Sequence, residues 1–180
     1  MRKTLDEQLA ERIHIGTVRS ICGLARTDAV TRERLYELMF CDEKRVADNA
    51  AWVLTHLDRS ELLWAETRRD ALAERAMRVS SVKLCRLLLT LLDRLPRPSE
   101  IHPEFLDFCL SHIPQGKVPA SIRSLCIRLA WGQCSLYPEL VEELRGLLEL
   151  MESDFLPPAV LHTRKSVLRD IASFQGGGPS

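Results

Sequence analysis

The sequence carries no excess charge: 25 Lys and Arg stand against 25 Asp and Glu in 180 residues, a formal net charge of zero. A protein held to nucleic acid or to a membrane surface by bulk charge normally shows a positive excess, so that class is disfavoured. Long apolar runs are also missing. The strongest, Leu84 to Leu92, is interrupted by Arg86 and is far shorter than the roughly 20 residues that span a bilayer. Met1-Arg2-Lys3-Thr4 has the charge of a secretory leader, but Leu5-Asp6-Glu7-Gln8 stands where the leader's apolar stretch would begin. No signal peptide is expected, and a soluble, cytoplasmic protein is the resulting expectation.

Chemical motifs are equally scarce. There is no G-x-G-x-x-G or G-x-x-x-x-G-K phosphate loop and no G-x-S-x-G elbow, which leaves nucleotide-dependent and serine-hydrolase chemistry without a motif. Cys109-Leu110-Ser111-His112 puts a thiol and an imidazole one helical turn apart, a spacing that suits two zinc ligands or a weakly activated nucleophile. No second ligand pair accompanies it, and the apolar residues Phe105, Leu106 and Phe108 lead into it. The remaining histidines are scattered. No catalytic residue, metal or cofactor is therefore expected. The six cysteines are even in number, yet Cys85 lies among Leu84, Leu88 and Leu89, and Cys126 lies between Leu125 and Ile127. Those are positions of small buried hydrophobes on helices, and reduced thiols are the expectation.

What the sequence does have is apolar residues at helical spacing almost throughout, as in Leu140, Val141, Leu144, Leu147, Leu148 and Met151. No segment alternates with period two, so about ten helices and no sheet are predicted. Breakers and caps divide them: Thr4 with Glu7 as a capping box, Gly16, Asp42, Ser60, Pro96 to Pro98, Pro114 to Gly116, Pro138 and Pro157-Pro158. Thr55-His56-Leu57-Asp58-Arg59 returns as Thr90-Leu91-Leu92-Asp93-Arg94 after 35 residues (90 minus 55), a displacement typical of helical repeats. Carrying that register onward, with gaps, aligns Leu54, Leu89, Leu129 and Ile171 as core positions. The predicted organisation is one domain over residues 1–174. It has a helical cap over 4–26, helix pairs over about 29–57, 60–95, 102–134 and 138–174, and a flexible tail over 175–180. Each pair has too much apolar surface to stand alone, and stacking covers it.

Arg45-Val46-Ala47-Asp48-Asn49-Ala50-Ala51-Trp52-Val53-Leu54 resembles the second helix of a HEAT repeat, and the chain is similar to short bacterial proteins with armadillo-like folds. The resemblance implies an all-α, right-handed α-α superhelix that acts as a scaffold for a protein or peptide partner. In such solenoids the second helices line the concave side. On the helix over 43–57, Asp48, Trp52, Thr55 and Arg59 share one face at spacings of 4, 3 and 4, with His56 beside them. Trp52 either seals the adjacent repeat or anchors a partner. The repeat adds Thr90 to this face and puts Lys83, Arg123 and Lys165 at the position of Asp48. It also matches Arg169 to Trp52, and Trp131 to His56. The expected binding groove is thus Asp48, Trp52, Thr55, His56, Lys83, Thr90, Arg123, Trp131, Lys165 and Arg169. Its chemistry suits an acidic peptide segment, and no membrane. Residues 68–97 carry a balance of +5 and residues 135–155 one of −5, an asymmetry that either steers a partner, drives head-to-tail self-association or merely solvates a face. The alternative expectation is nucleic-acid binding in the manner of the DNA alkylation repair glycosylases, which are also HEAT-like, with Asp48, Trp52, Arg123 and Trp131 as the positions concerned.

Overall fold

Helix formation begins where the sequence supplies a cap. The computed structural model describes residues 3–176, so residues 177–180 of the expected tail lie outside the described residues, whereas Gln175 and Gly176 continue the last helix. Thr4 accepts a hydrogen bond from the Glu7 amide while the Glu7 carboxylate accepts one from the Thr4 amide, and this reciprocal pair starts α1 (Leu5–Ala10). α2 (Ile15–Thr27) ends at Asp28, whose carboxylate accepts from the amides of Val30 and Thr31 and so opens α3 (Ala29–Leu38). α4 (Lys44–Leu54) follows a short turn. A 3-10 segment, Ser60–Arg68, leads into α5 (Arg69–Arg78), and Ser81 caps α6 (Val82–Arg94) by accepting from the Leu84 amide. α7 (Pro103–His112) and α9 (Pro138–Leu150) begin with proline, where the missing N–H costs nothing. α8 (Ala120–Cys134) and α10 (Pro158–Gly176) complete the ten α-helices, and no strand occurs among the described residues.

The chain divides into two compact units, Met1–Pro96 and Arg97–Ser180, where the sequence suggested one continuous domain. In the first unit α3 packs on α4, α5 on α6 and α4 on α6, while α1 and α2 lie against α4. Small residues on α4, Ala47, Ala50 and Ala51, are at most 1% exposed and let neighbouring helices approach closely. The leucines of α6, among them Leu84, Leu88 and Leu89, fill the opposing space. α6 is amphipathic: seven of its thirteen residues are buried, and the polar residues share the opposite face. In the second unit α8 is the central helix, packed by α7, α9 and α10. None of the six cysteines is in a disulfide; five are buried, and Cys41 is partly open. Burial pushes the Cys134 thiol up to about 12 and raises that of Cys22.

Polar tethers fix the pairs in place. The buried Asn49 side chain donates to the carbonyls of Leu9 and Glu11 at 2.9 and 3.1 Å, tying the end of α1 to α4. Glu61 accepts from the Asp58 amide at 2.7 Å and pairs with Arg26 at 2.9 Å, joining the start of the 3-10 segment to the end of α2. The Arg68 guanidinium lies against the edge-to-face pair of Tyr36 and Trp64, 4.5 and 5.3 Å from the two ring centres, and pairs with Glu33. The nine-residue 3-10 segment takes the place of the regular helix the apolar spacing suggested.

Three outcomes follow from this packing. Replacing Asn49 by Ala leaves two carbonyls at the end of α1 without their donor. It should lower unfolding free energy by roughly 1–3 kcal/mol and speed amide exchange in α1 before the rest of the first unit. Leu88→Ala, at the centre of α6 and fully buried, should cost about 2–5 kcal/mol. The third outcome concerns pH. The Asp58 amide is the main cause that holds Glu61 below the ordinary glutamate value of 4.5, with the Arg26 guanidinium adding to it. A carboxylate with a depressed folded value stabilises fully above its unfolded value, and that stabilisation is lost as pH falls through the folded one. The melting temperature of wild type should therefore fall more between neutral pH and pH values below 4.5 than that of Glu61→Gln, as followed by circular dichroism.

Candidate binding site

The stripe on α4 that the sequence points to meets a stripe on α6. Asp48, on α4, is buried (6% exposed) and receives Ser81 Oγ at 3.5 Å and the Lys83 ammonium at 3.9 Å. The same ammonium stands 5.8 Å from the centre of the Trp52 ring. A half-exposed ion pair of this kind contributes less than about 1 kcal/mol, so its main effect is to place a positive charge beside the indole. Trp52 itself is half-buried, with one side against the fold and the other open.

At the end of α4 the helix leaves carbonyls without intrahelical partners. Thr55 Oγ1 donates to the Trp52 carbonyl at 2.7 Å, and His56 Nδ1 lies 2.9 Å from the same oxygen. A carbonyl can only accept, so Nδ1 carries the proton there. Arg94, from the end of α6, donates to the carbonyls of Thr55 and Leu57. Cationic capping of a helix C-terminus is favourable, and it locks the two helix ends together. Thr90 Oγ1 is turned back to the Arg86 carbonyl at 2.7 Å.

These side chains surround an open cleft of about 450 Å³, lined by Trp52, Thr55, His56, Asp58, Arg86, Leu87, Thr90 and Arg94. Arg86 forms no ion pair among the described residues. The cleft is therefore cationic along the α6 side, with an indole on the α4 side.

Of the residues expected in the groove, Asp48, Trp52, Thr55, His56, Lys83 and Thr90 come together here. The other four lie in the second unit and meet other surroundings. Arg123 is 4% exposed, and its Nε donates to the Ile113 carbonyl at 2.8 Å, where it ties the end of α7 to α8. Burial lowers its pKa. Trp131 is 5% exposed, packed edge-on against Phe174 with ring centres 5.8 Å apart, and the Arg97 guanidinium stands 5.5 Å from its ring. Lys165 and Arg169 are exposed on α10. The basic row of Lys83, Arg123 and Lys165 is consequently no row of free charges, because Lys83 is engaged by Asp48 and Arg123 is an internal brace. Asp48 is covered as well, which removes it as an open carboxylate over a bound base.

Sequence reasoning missed Arg86 and Arg94. The signal was available, since Lys83, Arg86, Thr90 and Arg94 follow one another at steps of 3, 4 and 4 along one face of α6. The thiol and imidazole pair is not a metal site in this geometry: Cys109 is buried, and His112 Nδ1 is 2.6 Å from the Phe108 carbonyl with its ring against Phe108. Among the described residues no group of three or more His, Cys, Asp or Glu side chains is disposed to hold a metal ion. No helix among them is long and apolar enough to cross a membrane.

Comparison with known proteins gives one family. No curated protein sequence matches the chain. Among solved structures it is similar to a designed armadillo repeat protein, at 9% identity and a TM-score of 0.46, over 91% of this chain and 97% of that one. The family profile described as HEAT repeat domain matches residues 5–171, nearly the whole length, over the same run of paired helices that the structure displays. The chain belongs to the HEAT repeat family.

Proposed function

We propose that this protein is a non-enzymatic scaffold whose α4 and α6 surface holds a segment of a protein partner. One observation carries the reading: a half-open indole, Trp52, shares a cleft with the Arg86 guanidinium, which has no ion pair among the described residues. A large amphipathic ring beside an unspent charge is the composition of an interface anchor. The apolar side of such a partner would lie on Trp52 and Leu87, and a carboxylate would reach Arg86. Thr55, Thr90 and Arg94 are spent on backbone carbonyls, so their role is to hold the cleft open in one shape. An acidic partner segment fits that division of labour, since Arg86 is the cation left over in the cleft and Asp58 its one lining carboxylate.

Nucleic acid is supported less well. Phosphate binding draws on several free cations along a track, and here Lys83 is held by Asp48 while Arg94 caps a helix.

Affinity capture should separate the readings. Partners recovered from cell extract on wild type should be lost on Arg86→Glu, a change at a half-buried position lining the cleft that leaves melting within a few degrees, and weakened at least tenfold on Trp52→Ala. Identical partner sets on wild type and well-folded Arg86→Glu would remove the cleft from consideration. In parallel, titration with duplex DNA at low salt should give no binding; binding with a steep salt dependence would favour the nucleic-acid reading instead.

A further inference from the structure

The protein also exposes a segment with the chemistry this cleft asks for. Leu150 and Phe155 are 83% and 82% exposed, the two most exposed large apolar side chains among the described residues. Leu150 ends α9, and Phe155 lies in the turn that joins α9 to α10, where a short 3-10 segment, Ser153–Phe155, follows Glu152. Glu149, Glu152 and Asp154 accompany them, and no Lys or Arg occurs from 146 to 163. An exposed phenylalanine and leucine embedded in carboxylates have no local reason to stay in water, because each leaves apolar area unburied at about 25 cal/mol per Å².

We infer that the α9–α10 turn of one copy docks into the α4 and α6 cleft of a second copy, with Phe155 against Trp52 and the carboxylates facing Arg86 and Lys83. The inference rests on the cleft being a protein-binding surface, as proposed above, and names its occupant. Charge decides the pairing: three carboxylates without a base meet the Arg86 guanidinium, which has no ion pair among the described residues, and the half-exposed side of the Lys83 ammonium that Asp48 holds at 3.9 Å, whereas two clefts or two turns would repel. The two surfaces differ, so the contact is heterologous, and each copy keeps one cleft and one turn free to continue. A segment this short buries well under the area of a stable interface, so association is weak, rises with concentration and falls with salt.

Sedimentation velocity across about three decades of concentration, up to near-millimolar, tests this on the full chain. The weight-average mass should climb above the 20.5 kDa of one chain at low salt and return toward it at high salt. Phe155→Ser keeps its cleft and Arg86→Glu keeps its turn, and each variant alone should associate at least tenfold more weakly than wild type. Mixed in equal amounts they should form a two-chain complex, since only one productive pairing remains, and grow no further. A wild-type mass that stays at one chain over the whole range overturns the inference. So does association of either variant at wild-type strength, or a mixture that stays monomeric. If wild type is monomeric yet partner capture still depends on Arg86, only the self-docking idea falls; if neither responds to Arg86, the cleft reading falls with it.

Discussion

Helices in this chain are stable because neighbours cover them, and α4 shows the constraint in its strongest form. Eight of its eleven residues are buried, including Asp48 and Asn49. A helix covered to that extent must have a partner for every polar group it turns inward, and must use small side chains wherever another backbone comes close. Ala47, Ala50 and Ala51 meet the second demand. Asn49, bound to the end of α1, and Asp48, bound to Ser81 and Lys83, meet the first. Beyond Lys44 and Arg45 in its exposed first turn, α4 leaves only Trp52 partly open, so the packing of the first unit and the proposed binding surface are two aspects of one helix.

The ends of α4 and α7 repeat the same economy of polar groups. Where α4 stops, its carbonyls are taken by Thr55, His56 and Arg94. Where α7 stops, the Ile113 carbonyl is taken by Arg123. In both cases an arginine from a later helix closes an earlier one. Arg94 does so at the edge of a cleft, whereas Arg123 does so inside the core, where desolvation lowers its pKa. Both arginines thus brace helix ends, one beside open water and one within the core.

That ambiguity explains what could be read in advance. The all-helical fold is written in the 3.6-residue spacing of leucines, and α1 is announced by Thr4 and Glu7 three positions apart. The recurrence of Thr55 as Thr90 located half of the cleft, because both sit at the same step of a repeat on packed second helices. Extending the register to Arg123 and Trp131 failed as a guide to exposure. The gaps between repeats vary, and a charge or an indole on an amphipathic stripe looks the same whether water or another helix lies above it. Nor does the sequence show that Ser60–Arg68 winds as a 3-10 segment: its apolar spacing fits either helix, and the cluster of Arg68 with Tyr36 and Trp64 depends on contacts across the pair.

The distribution of sulfur has a practical side. With five thiols enclosed by helices and Cys134 pushed up to about 12, a maleimide or disulfide reagent added to the native chain meets Cys41 alone, at the turn before α4. Consumption of further equivalents then measures how often the helical stack breathes open, giving a label-based clock for local unfolding without any engineered cysteine.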